Sequence, residues 1–76
     1  MIINKANFQE FLIENIIMEN IIYLIEDQKI TPKQASKQFF KTEISSKLED
    51  LETGYYLESP AYIYELVKKE LAKNIN

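Results

Sequence analysis

Apolar residues recur along this chain at three- and four-residue spacings, and no segment alternates with a period of two. That pattern predicts helices throughout and no sheet. In the first segment Asn7 can cap, and Glu10 follows at the capping-box spacing, so a helix is predicted from there to about Gln28. Phe8, Phe11, Leu12, Ile16, Met18, Ile22 and Ile25 hold helical spacings, while Ile13, Ile17, Ile21 and Leu24 fall on another side of the same helix. A helix that is apolar nearly all round is either central to its own fold or shared with another chain.

Thr31-Pro32-Lys33-Gln34 marks a second start: a hydroxyl cap, proline in the first turn, and a glutamine closing the box. Ala35, Phe39 and Phe40 are its expected inner face. A short third helix is predicted over Glu43 to Glu52, capped by Thr42, with Ile44, Leu48 and Leu51 inward and Glu43, Glu49, Asp50 and Glu52 outward. Gly54 ends it, because glycine alone takes positive φ without steric cost. Ser59-Pro60 starts a fourth helix running to about Lys73, with Ile63, Val67 and Leu71 as its stripe, flanked by Tyr64 and Leu66. The expected architecture is all-α: one domain over 1–76, a compact bundle of three to four helices with a long apolar first helix.

Composition narrows the chemistry. The chain has 76 residues, no histidine and no cysteine. Disulfides and Cys/His zinc sites are therefore excluded, and a reducing, cytoplasmic home is expected. Glu14, Asn15, Glu19 and Asn20 interrupt the most apolar stretch, which argues against a membrane span. All nine basic residues are lysine, and isoleucine, asparagine and lysine are abundant. That bias is common in AT-rich bacterial or phage genomes.

Glu49, Asp50 and Glu52 cluster on a face without an apolar stripe, and paired catalytic carboxylates need a pocket that separates their pKa values. No enzyme and no cofactor are expected.

The net charge of −3 lies in blocks: −4 over residues 1–28, +4 over 29–41, −4 over 42–58 and +1 over 59–76. Such blocks bear on association. Lys33, Lys37 and Lys41 form one stripe, either a solvated face or a docking stripe for an acidic partner. The second and third helices also permit a helix-turn-helix reading, as a small DNA-associated regulator. The acidic third helix and the absence of arginine count against it, so nucleic acid is not the expected partner.

Four of the five tyrosines lie between residues 55 and 64. Tyrosine offers large amphipathic area to interfaces. Tyr62 and Tyr64 are two apart on a helix, so one must face away from the core, and Tyr62 is expected outside with one of Tyr55 or Tyr56. The expected function is that of a small protein-binding module. Its partner is a co-encoded protein or a second copy in a homodimer. The candidate contact residues are Ile13, Ile17, Ile21, Tyr55, Tyr56, Tyr62, Lys33, Lys37 and Lys41. A self-associating structural domain is the remaining alternative.

From Asn15 onward the layout resembles a group of small bacterial proteins of unknown function. The pieces that carry the resemblance are Thr31-Pro32-Lys33-Gln34-Ala35, Phe39-Phe40, Thr53-Gly54 and Tyr62-Ile63-Tyr64-Glu65. Members often stand beside genes for ADP-ribosyltransferase-like toxin domains and have been taken as their antitoxins. The resemblance implies a small partner-binding protein of antitoxin type and supplies no functional residues.

Overall fold

Asn4 opens the first helix with its own side chain. Its Oδ1 accepts the N–H of Asn7 at 2.9 Å, and helix α1 runs Lys5–Gln28. The cap is thus one helical turn earlier than Asn7, whose N–H it satisfies. The computed structural model describes residues 4–73.

At its far end α1 closes on Lys29, left-handed at φ 55°, whose N–H reaches the Ile25 carbonyl at 2.9 Å. Helix α2, Pro32–Phe40, starts on the expected capping box: Gln34 N–H donates to Thr31 Oγ1 at 3.1 Å, and Thr31 N–H donates to Gln34 Oε1 at 3.0 Å. Helix α3, Glu43–Glu49, is capped by Thr42, which accepts the Ser45 N–H at 3.2 Å. Helix α4, Pro60–Lys73, starts with Ser59 Oγ accepting the Tyr62 N–H at 3.2 Å. The chain is all-α, and among the described residues there is no strand.

The third helix stops short of Glu52. Asp50 is extended at ψ 106°, and its side chain accepts the Glu52 N–H at 3.1 Å, restarting the chain as a 3₁₀ turn over Leu51–Thr53. This local bond competes with helix continuation. Leu51 is turned out to solvent as a result, not inward. Gly54 follows at φ 73°, as its role as a stop requires, and a second 3₁₀ turn, Tyr55–Leu57, leads to α4.

Core side chains come from all four helices: Ile16 and Leu24, Ala35 and Phe39, Ile44 and Leu48, Ile63, Tyr64 and Val67. Phe40, expected beside Phe39, is half exposed, its ring edge-on to Phe39 at 5.3 Å. Adjacent helical positions are about 100° apart, so only one of the pair can point into the core.

One buried polar side chain joins the two longest helices. Asn20 donates from Nδ2 to the Ile16 carbonyl at 3.0 Å and to the Pro60 carbonyl at 3.2 Å. It lies fully buried at the start of α4 and replaces what would otherwise be an apolar contact. The molecule measures 45 × 23 × 17 Å, with a radius of gyration of 12.9 Å. A compact domain of this length would have about 11 Å. The excess is α1, about 36 Å long, whose residues from Asn4 to Phe8 are exposed.

Candidate partner-binding surface

Helix α1 turns one side to the bundle. Ile16, Asn20 and Leu24 are buried, and Ile13, Ile17 and Ile21 lie half-buried against the core beside them. These three isoleucines, expected as partner contacts, are therefore packed largely within the chain's own fold. Ile13 and Ile17 still floor a shallow groove walled by Glu10, Glu14 and Glu49.

The opposite side carries the unburied apolar surface. Phe8, Phe11, Met18 and Ile22 are 51%, 62%, 56% and 44% exposed. At 100° per residue, Phe11, Met18 and Ile22 average about 180° from Ile16, Asn20 and Leu24. Among the described residues nothing packs over them. Asn15 sits among them, half-buried, its Nδ2 donating to Glu19 Oε2 at 3.2 Å. Phe11, Glu14, Asn15 and Met18 line a second shallow groove on this face. The spacing signal for this set was present in the sequence. What the sequence lacked was a way to choose which of two apolar faces the short helices would cover.

The tyrosine corner is tighter than expected. Tyr55 and Tyr56 are both half-buried against the core, and neither is the exposed one. The reason is conformational. In an extended loop neighbours point apart, but in a 3₁₀ turn they are about 120° apart, and two of three can pack inward. Leu57, the third, is exposed. Tyr56 Oη accepts from Gln9 Nε2 at 3.0 Å, tying the corner to α1. Tyr62 is half exposed, as its position on α4 required.

Tyr64 points inward. Its hydroxyl donates to Asp27 Oδ2 at 2.6 Å, and its ring packs against Tyr23 at 5.0 Å and beneath Lys68 Nζ at 5.3 Å. Burial, then the hydrogen bond to Asp27 and the charges of Asp27 and Glu65, push its phenol well above the ordinary tyrosine range. The phenol is therefore held in its protonated form, with its hydrogen donated to Asp27.

Lys33, Lys37 and Lys41 are exposed along α2. Lys41 also borders a shallow cleft with Ile44, Leu66, Lys69, Glu70 and Lys73. In that cleft the Glu70 carboxylate accepts the N–H groups of Glu43 and Ile44 at 2.7 and 3.2 Å, so the start of α3 is already occupied. Among the described residues no group of three acidic side chains is placed to hold a metal ion, and no helix is long and apolar enough to cross a membrane. Comparison with protein-family models, with curated proteins and with solved structures returns no match.

Proposed function

We propose that this chain is a small protein-binding module that works by docking the outer face of α1 onto another polypeptide, without catalysis of its own. The observation that carries this reading is the row of Phe8, Phe11, Met18 and Ile22, each at least 44% exposed on the side of α1 turned away from the core. Single exposed apolar residues are ordinary; four along one helix face mark an interaction surface. The antitoxin role implied by the family resemblance is one form of this function, in which the partner is a co-encoded protein that the module neutralises.

The test is co-purification with the product of the adjacent gene, using the native chain and a Phe11→Ser/Ile22→Ser variant. Both positions are exposed, so the variant should keep its far-UV circular dichroism. Loss of the complex in the variant is the expected result. A complex indifferent to the two substitutions would show that the α1 face is not the docking surface.

A further inference from the structure

The outer face of α1 is spaced as a coiled-coil seam. Phe8, Phe11, Asn15, Met18, Ile22 and Ile25 follow one another at intervals of three, four, three, four and three. Phe8, Phe11, Met18 and Ile22 are exposed, Asn15 is half-buried among them, and Ile25 lies at the inner edge, half-buried against the chain's own core. Phe8, Asn15 and Ile22 then occupy heptad position a, and Phe11, Met18 and Ile25 position d. The seam spans about 27 Å of helix. Its polar member, Asn15, stands at an inner a position, where it costs stability and where its Nδ2 already donates to Glu19 of the same helix at 3.2 Å.

We propose that a second copy of this chain covers the seam, its α1 antiparallel to the first. This rests on the binding-module reading and names the partner. In an antiparallel pair a positions face d positions. A two-fold axis between Ile16 and Ile17 sets Phe8 opposite Ile25 of the second copy, Phe11 opposite Ile22, and Asn15 opposite Met18. Each large ring meets a smaller aliphatic side chain, and the surface is self-complementary, as a two-fold dimer requires.

Charge selects the orientation. The charged residues at the flanking e and g positions of α1 are Lys5, Glu14, Glu19 and Glu26. In a parallel pair Glu14 would face Glu19 of the second copy, a like-charge contact. In the antiparallel pair Lys5 meets Glu26 at both ends, while Glu19 faces Leu12 and Glu14 faces Ile21. The only basic residue of α1 thus lands on an acid twice over. A second copy supplies both the seam and the matching charge from this same sequence. A contact of this length buries on the order of 1,000 Å², the low end for specific association. A dissociation constant in the micromolar range is expected.

The chain has no cysteine, so placed cysteines report orientation without background. Phe8→Cys and Ile25→Cys variants are treated with a short bis-maleimide, alone and mixed. Sedimentation of the native chain and of Phe11→Ser/Ile22→Ser is followed from low micromolar to several hundred micromolar. The expected result is a dimer, crosslinked in the mixture and not in either variant alone. The paired serines should raise its dissociation constant at least roughly a hundredfold. A native chain that stays monomeric, or a Phe8→Cys variant that crosslinks to itself, overturns the proposal. If the monomeric chain still binds the adjacent gene product through Phe11 and Ile22, the dimer fails while the module reading stands.

Discussion

Two residues in the left-handed region close two of the turns that shape this bundle, and they differ in kind. Gly54 at φ 73° has nothing within 4 Å of where a Cβ would stand. A methyl group there meets open space, so any cost of Gly54→Ala comes from the backbone alone. A loss of about 1 kcal/mol is expected in urea unfolding, and more for a β-branched residue. Lys29 adopts the same region at φ 55° with a Cβ already present. Lys29→Gly should therefore stabilise the chain by roughly 0.5–1 kcal/mol, because glycine favours this helix-ending position. Equal midpoints for native chain and variant would show that Lys29 carries no such strain.

Tyr64 gives a pH signature at the same scale. Its folded phenol titrates above the unfolded one, so as pH rises the unfolded state loses its proton first. The stabilisation is complete below about pH 10, the ordinary tyrosine value, and declines as pH climbs toward the folded value. Tyr64→Phe loses the hydrogen bond to Asp27, so it should be less stable at pH 8. The gap between the two proteins should narrow above pH 10. Every other group is common to both proteins and cancels in the difference. A gap constant up to pH 11.5 would show that the phenol gains nothing from its setting.

At the scale of elements, α3 has seven residues and depends on its neighbour. Glu70 of α4 reaches across to accept two N–H groups from its first turn. An isolated helix of that length would not persist. Glu70→Ala should cost about 1 kcal/mol, and Glu70→Gln less, since one acceptor oxygen remains. Thermal melts of the two variants check the order; reversal would mean the carboxylate is incidental. Nothing near Glu43 in the sequence announces this bond, because its partner is 27 residues away.

Contacts that are local in the chain were legible in it. Thr31, Thr42 and Ser59 cap where the sequence placed them, since a cap needs only residues within one turn. Gly54 takes the expected positive φ but closes a 3₁₀ turn, because α3 already ends at Asp50. Side-chain direction was harder wherever two apolar neighbours competed, as at Phe39 and Phe40. It failed where a polar side chain re-aimed the backbone, as Asp50 did for Leu51. The face of α1 that stays uncovered was the least legible feature. Both apolar sets have helical spacing, and the choice between them belongs to the packing of α2 and α4.

For the whole molecule the question is how a chain this small keeps α1 ordered when its first turns project beyond the bundle. Domains of this size without disulfides or metals often gain stability from association. If a second copy covers the seam, folding and assembly are linked, and the melting temperature must rise with protein concentration. The size of that rise measures the apolar surface still open in the monomer. Phe11→Ser/Ile22→Ser should abolish the concentration dependence. It should also leave the melting temperature at high dilution nearly unchanged, because neither side chain belongs to the buried core. Differential scanning calorimetry over a hundredfold range of concentration separates the cases. A variant that melts far lower even at high dilution would show that Phe11 and Ile22 stabilise the monomer itself. A native chain whose melt ignores concentration would mean that the bundle alone holds α1. The exposed seam would then be kept for a partner other than a second copy.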